Sequence, residues 1–338
     1  MNNVADAIKT ASISRAFIVS HCSIHLYSSG YETMLSVLGT LLCYKQTEID
    51  SEGKLKFFLD KHSTKEGTWG LLRRREGDID FVFLNGSGAE LKRVRINKEN
   101  PELVIPPASW HKIEPVSDQF NAALEFYCAP HRYFNKKYGL GMVHSDLLSI
   151  YQTYLSGSDA KNNQVLDVGC GSGRNLLYFA QQGYSITGMD INKSAIDKIN
   201  ELSQKESLAQ VHAVLHDLHQ PLNLANEFYN LIFSTVSIQF LNAERIPSLL
   251  EELQRATAIK GFNYLVFPIK AESYVLPESF TFLPEKEELY HFYQDSGWSI
   301  IEYKETTGLL HRLDEHGRPI QGVFGHLLAQ KICDTKCC

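Results

Sequence analysis

VLDVGCGSGRN, residues 165–175, sets an acid and three glycines at alternate positions, Asp167, Gly169, Gly171 and Gly173, between an apolar run and a segment of helical spacing. Glycines in such a place let the backbone approach a ligand where a Cβ would collide, and the following helix offers its free N–H groups. A dinucleotide fingerprint, G-x-G-x-x-G, puts its last glycine three positions on, whereas the spacing here is two throughout. No G-x-x-x-x-G-K-[ST] occurs, which excludes a P-loop. The Asp167 carboxylate would repel a pyrophosphate and attract an ammonium group, directly or through water. The loop therefore fits a ligand with a cationic amino-acid end. Cys170 reads as a small filler, with no neighbour that would activate its thiol.

Working outward, QVLDV (164–168), SITGMD (185–190), QVHAVLHD (210–217), YNLIFST (229–235) and NYLVFPI (263–269) read as short buried strands. GRNLLYFAQQG and AERIPSLLEELQRAT between them carry apolar residues at helical spacing. Such alternation predicts a parallel sheet with helices on both faces and a ligand beyond the carboxyl ends of the strands. Asp190, with Ile191 beside it, ends the second strand seventeen residues after Gly173, where an acid can accept both ribose hydroxyls. Asp217 ends the third, where its side chain or the Leu218 backbone can meet an adenine edge.

From about Tyr44 to Glu114 the rhythm is different. KLKFFLDKH, GTWGLLRRREGDIDFVFLNGSG and LKRVRINKENPELVIPP mix β-branched and aromatic residues with Gly, Asn and Pro breaks, which predicts a small β-sandwich or barrel. The whole chain, 338 residues, is long for one core. Its net charge of −6 gives no footprint for a nucleic acid, and Arg73-Arg74-Arg75, followed by Glu76 and Asp78, reads as a solvated strand face. The apolar stretch MLSVLGTLLCY (34–44) is far short of the ~20 residues that span a bilayer, and the N-terminus makes a poor signal peptide. Seven cysteines without a C-x-x-C pair indicate neither a disulfide framework nor a zinc knuckle, and a reducing, cytoplasmic compartment is expected.

The D-x-G-x-G-x-G loop with Asp190 and Asp217 resembles the S-adenosyl-L-methionine site of the seven-stranded, Rossmann-like methyltransferases. RYFNKKYGLGMVHSDLL (132–148), CGSGRNLLYFAQQGY (170–184), STVSIQFLNAERIPSLL (234–250), GFNYLVFP (261–268), FTFLPEKEELYHFY (280–293) and GLLHRLDEHGRPI (308–320) narrow the likeness. Together they resemble the tellurite-resistance methyltransferases of the TehB type, over roughly residues 119–330. Arg174-Asn175 and Ser234-Thr235-Val236 are more specific marks than the glycines. LLCYKQTEID, DKHSTKEGTWG and VIPPASWHKIEP are similar to the cupin-like domain of the family's longer members.

The resemblance implies an α/β fold class: a Rossmann-like, seven-stranded methyltransferase domain over 119–332, preceded by a small all-β cupin-like domain over 40–118. Residues 1–39 are an unassigned extension and 333–338 a tail. It implies S-adenosyl-L-methionine as cofactor and tellurite as acceptor, with selenite or related oxyanions beside it. It also implies roles for single residues. His311 and Arg312 match a pair that would hold the anion, and Arg318 sits one place earlier than the family's arginine. Lys137, Tyr138 and His144 match positions that close over the cofactor. A small organic thiol, amine or carboxylate is the alternative acceptor, and a noncatalytic anion- or metal-responsive protein the alternative from another class. In the β-rich half His62 and His111, with Glu66 or Asp80, are the residues a metal would want, although two histidines without strict spacing read first as packed core residues.

Overall fold

A computed structural model describes residues 36–51, 53, 55–157, 160, 163–313 and 316–332, and the chain divides into two units, residues 1–137 and 138–338. Within the first unit the described strands are β1 (Leu42–Asp50), β2 (His62–Ser63), β3 (Trp69–Glu76), β4 (Ile79–Leu84), β5 (Glu90–Ile96), β6 (Glu102–Ile105), β7 (Trp110–Pro115) and β8 (Asn121–Cys128). They form two antiparallel sheets, ordered β1-β8-β3-β6 and β2-β7-β4-β5, with a short helix α1 (Leu55–Leu59) between β1 and β2. Leu72, Phe81, Ile96, Ile113 and Leu124 from both sheets share one core, as expected of a sandwich. Because β8 pairs with both β1 and β3, the β-rich unit runs past residue 118, and the division falls at 137/138 instead of 118/119.

Asp80 is buried in β4, and the Arg95 and Arg93 guanidinium groups hydrogen bonded to it hold its carboxyl below the usual range. That use, and the exposure of Glu66, leave the histidines without a carboxylate. His62 and His111 face each other across β2 and β7 with ring centroids 4.2 Å apart, and each Nδ1 lies within 2.9 Å of a carbonyl oxygen, of Asp60 or Ser109. His111 also stacks on Phe81, and burial pushes its pKa down to about 4. Among the described residues no three His, Cys, Asp or Glu side chains converge on a metal position. Arg73, Arg74 and Arg75 are each paired with carboxylates of this unit, Glu102, Asp78 and Glu48 among them.

The helix α2 (Tyr133–Tyr138) carries the chain across the division. Beyond it come α3 (Ser145–Ile150), which runs on into a π-helical turn, Tyr151–Leu155, then β9 (Gln164–Val168), α4 (Arg174–Gln181), β10 (Ser185–Asp190), α5 (Lys193–Lys205), β11 (Val211–Leu215), β12 (Tyr229–Thr235), α6 (Ile246–Ala256), β13 (Thr257–Ile269), α7 (Glu288–Asp295), β14 (Ser299–Leu313) and β15 (Pro319–Gln330). The strands make a seven-stranded sheet, ordered β11-β10-β9-β12-β13-β15-β14. The five strands expected from the sequence are parallel; β14 and β15 join antiparallel, so the sheet is mixed. Side chains alternate across it. Ile232 packs with Leu249, Leu253 and Tyr293 of α6 and α7, while the next residue, Phe233, meets the Phe179 ring of α4 at 5.5 Å on the other face.

Strand order reverses at β9, whose neighbours β10 and β12 lie on opposite sides of it, so a crevice opens at its carboxyl end. That end is where the glycine loop begins. Among the described residues no helix is long and apolar enough to cross a membrane. Leu166, wholly buried at the centre of β9, fixes the strand that carries the loop. Leu166→Ala should cost about 2–5 kcal/mol, read as a lower midpoint in denaturant unfolding followed by tryptophan fluorescence; an unchanged midpoint would contradict this packing.

Candidate functional site

The loop is folded back on β10 by two bonds to one oxygen. Gly169 N and Cys170 N donate to Met189 O at 2.8 and 3.0 Å, and Gly173 N donates to Cys170 O at 3.0 Å. This path requires φ of +76°, +51° and +84° at the three glycines. At Gly169 crowding adds a second requirement: a Cβ there would lie 2.2 Å from Ser237 Oγ. At Gly171 a Cβ would meet no atom within 4 Å, so the dihedral alone selects glycine.

Asp190 fastens the loop from the neighbouring strand. Its Oδ2 accepts from Gly171 N at 2.8 Å and its Oδ1 from Asn192 N at 2.8 Å. A carboxylate has about four lone-pair sites, so each oxygen keeps one for a further donor. Ile191, next in the chain, is 67% exposed, an apolar surface directly beside those oxygens. His216 N donates to Asp190 O at 2.9 Å, which brings the end of the third strand alongside. Asp217 then turns on itself: its Oδ1 accepts from His219 N at 3.0 Å and faces His219 Nδ1 at 2.9 Å, and these bonds hold its pKa below the ordinary carboxylate value. Leu218 is buried, and its carbonyl accepts from Arg245 Nε at 3.0 Å, with Arg245 paired to Glu252 at 2.8 Å.

Asp167 is an acid held almost wholly inside the fold. It is 1% exposed, and neither carboxylate oxygen has a hydrogen-bond partner. Burial drives its pKa well up; Arg174 opposes this and Asp190 adds to it. A buried carboxylate without a donor is costly, so the site calls for one. The same environment pushes the buried Cys170 thiol up and leaves it inert, as its reading as a filler requires.

Arg174 and Asn175 are used by the chain itself. Arg174 Nη1 donates to Met142 O at 3.2 Å. Asn175, 2% exposed, accepts from His144 N through Oδ1 at 3.0 Å and donates from Nδ2 to Thr235 Oγ1 at 3.2 Å. His144 also caps α3, its Nδ1 accepting from Asp146 N at 3.3 Å, and burial lowers its pKa to about 4. Ser234 is buried with an unpartnered hydroxyl. After it Val236 takes φ +58°, a left-handed conformation rare for a β-branched residue, held by its N–H to Val266 O at 2.8 Å. That turn delivers Ser237 Oγ to Gly169 O at 3.1 Å.

Asp167, Gly169, Gly171, Gly173, Asn175, Asp190, Thr235 and His144 thus form one connected group, with Asp217 and Leu218 on the adjoining turn. Tyr138 Oη donates to Glu206 at the end of α5, and Lys137, in the first unit, donates to Tyr133 Oη at 2.6 Å. The backbone of His311 and Arg312 lies just before the end of β14, and their side chains lie outside the described residues. Arg318 is exposed on the connection to β15. Sequence reading missed Ser237, Asn192 and Arg245; the Asx cap at Asn192 before an apolar-periodic helix was the one detectable signal.

The group fits S-adenosyl-L-methionine. Asp167 lacks a donor that an ammonium or a bridging water would supply, Asp190 keeps acceptor sites for a ribose, and Ile191 offers an apolar face for a base.

Residues 126–328 match the family model described as tellurite resistance protein TehB, and residues 50–124 match a model described as TehB-like domain. The chain is 37% identical over 294 residues to the probable S-adenosyl-L-methionine-dependent methyltransferase TehB of Haemophilus influenzae (strain 10810), spanning 86% of this chain and 98% of that protein. It is 34% identical over 248 residues to hemagglutinin 1 of Eikenella corrodens, 73% and 79% of the two chains. Among solved structures, the crystal structure of TehB from Haemophilus influenzae superposes with a TM-score of 0.79 at 34% identity, covering 86% of this chain and 99% of that one.

Asp190→Ala removes the acceptor of two backbone N–H groups together with the acceptor sites that would meet a ribose, and Gly171→Val strains the loop. Each should weaken cofactor binding by roughly tenfold or more in calorimetry, the scale of a lost charge-assisted hydrogen bond; undiminished binding would sink the assignment. His144 gives a pH signature. Its folded pKa, about 4, lies below the ordinary 6.5, so the unfolded chain takes up the proton first. Stability should fall by on the order of 2 kcal/mol as pH drops from 6.5 toward 4, and His144→Asn, which keeps a cap, should flatten that part of the melting profile.

Proposed function

The chain belongs to the TehB family of S-adenosyl-L-methionine-dependent methyltransferases, and we propose that its methyl acceptor is tellurite, with selenite and related chalcogen oxyanions as further acceptors. The observation that carries the acceptor class is the path of the β14–β15 hairpin. Leu309 pairs with Gln321 and Leu313 with Pro319, so three residues, Leu310, His311 and Arg312, stand opposite Ile320 alone. Arg318 lies just before Pro319 on the same hairpin. Three basic residues therefore belong to one hairpin, which supports an anionic acceptor.

The cofactor, when bound, supplies a methyl group already activated by a sulfonium. A heavy-chalcogen oxyanion has its own lone pair, so no general base is needed. What the chain must do is hold the anion and keep it aligned at ~3–3.5 Å, out of water. His311, Arg312 and Arg318 would hold it, since cationic donors placed at the acceptor stabilise its charge. On the donor side Asp167, Asp190 and the glycine loop would fix the cofactor, and the segment bonded to Arg174 and Asn175 would cover it. The free thiols of Cys43, Cys128 and Cys170 suit a reducing, cytoplasmic setting.

Purified protein incubated with S-adenosyl-L-methionine should release S-adenosylhomocysteine on addition of tellurite, and more slowly with selenite. Alanine at both His311 and Arg312 should cut that turnover by on the order of 10- to 1000-fold and leave cofactor affinity in place. Turnover confined to thiols, amines or carboxylates in the same assay would replace the proposed acceptor, and none with any of them would remove the activity.

A further inference from the structure

The first turn of α3 meets three strands of the sheet through one atom. Asp146 Oδ2 lies 2.7 Å from Tyr264 Oη of β13, 2.9 Å from His326 Nδ1 of β15 and 3.1 Å from Lys304 Nζ of β14. Each partner is held in turn. His326 Nε2 lies 2.8 Å from Thr306 Oγ1, Lys304 Nζ 2.9 Å from Glu302 Oε1, and Tyr264 is buried with its Oη also 3.2 Å from His326 Nδ1. The register explains the convergence: Lys304 pairs with His326, and Tyr264 and Glu302 both pair with Leu328, so all four project from one face. These side chains and Asp146 line a cavity of about 280 Å³ beside α3. The His326 bond, ahead of those from Tyr264 and Lys304, holds the Asp146 carboxyl well below its ordinary range.

Asp146 stands two residues after His144. The His144 N–H is held by Asn175, and Met142 O by Arg174, both from the start of α4. The segment 142–146 is therefore pinned at one end to the start of α4, which follows the glycine loop, and at the other to the antiparallel end of the sheet. A partly buried ionic cluster is a poor way to gain stability, because desolvation offsets the attraction; what it supplies is direction, since each donor fixes the carboxylate along one line. We propose that Asp146 is a positioning residue for the methyl transfer, setting His144 and residues 142–144 against the cofactor loop and, through Lys304, coupling them to β14, the strand that carries His311 and Arg312. The proposal rests on the reading that this segment covers the bound cofactor.

The test uses the full chain with Asp146→Asn, which keeps the side chain's shape and removes its charge, and with Asn175→Ala, which removes the bond from the start of α4 to the His144 N–H. S-adenosylhomocysteine affinity by calorimetry should fall roughly tenfold in both, the order expected for a lost charged hydrogen bond. In Asp146→Asn, amide hydrogen exchange should quicken at His144 and its neighbours while exchange in β9 and β12 stays as in the wild type. With tellurite as acceptor, the cofactor KM should rise by the same factor and kcat at saturating cofactor should stay within about twofold. Lys304→Met, which leaves Tyr264 and His326 on the carboxylate, should lose a smaller part of the affinity and serves if Asp146→Asn does not fold. Unchanged affinity and exchange in Asp146→Asn beside a weakened Asn175→Ala would overturn the positioning role and leave the cover intact. Unchanged affinity in Asn175→Ala would overturn the cover, and the proposal with it.

Discussion

The buried amide of Asn175 is the joint on which the site depends. A primary amide has donors on one side and acceptors on the other, and here each side is committed: the oxygen to the chain entering α3, the nitrogen to the end of β12. Since Asn175 is the second residue of α4, its place is set by Gly173, and Gly173 by the turn that closes on Met189 O. The donor-side groups are thus referred to one rigid corner of the sheet. An aspartate could accept at both ends but donate at neither, so size alone does not specify this position.

Much of the fold was legible because the parallel strands are buried on both faces. QVLDV, SITGMD and YNLIFST each read as a short, mostly apolar run with a polar residue at or next to its end, and each is a strand with those bounds. The antiparallel pair was not legible. β14 has two register shifts and carries Glu302, Lys304, Glu305, His311 and Arg312, so its sequence lacks the alternation of a half-buried strand. The end of the β-rich unit was blurred for a related reason: NAALEFYC follows Pro115, after which the rhythm changes toward strand–helix alternation, and only its pairing with β1 and β3 assigns it.

The site divides in the same way. Glycine spacing and strand-end acids are local patterns, and Asp167, Gly169, Gly171, Gly173 and Asp190 stand where those patterns put them. Ser237 and Arg245 act through contacts 68 and 27 residues distant in sequence, which no local pattern encodes. Arg174 and Asn175 were visible as family marks, but the sequence did not show that they brace the chain. Asp167 proved more isolated than a strand-end acid need be: it lies wholly inside, with no donor of the chain's own.

The left-handed Val236 has a thermodynamic implication. A β-branched residue in that region stores roughly 1–3 kcal/mol, and it persists only where its surroundings over-determine it. Here they do, through Val266 O on one side and the Ser237 hydroxyl on Gly169 O on the other. The strain is taken up when the protein folds. A ligand arriving at the glycine loop meets a preorganised surface, and little of its binding free energy is diverted to freezing backbone.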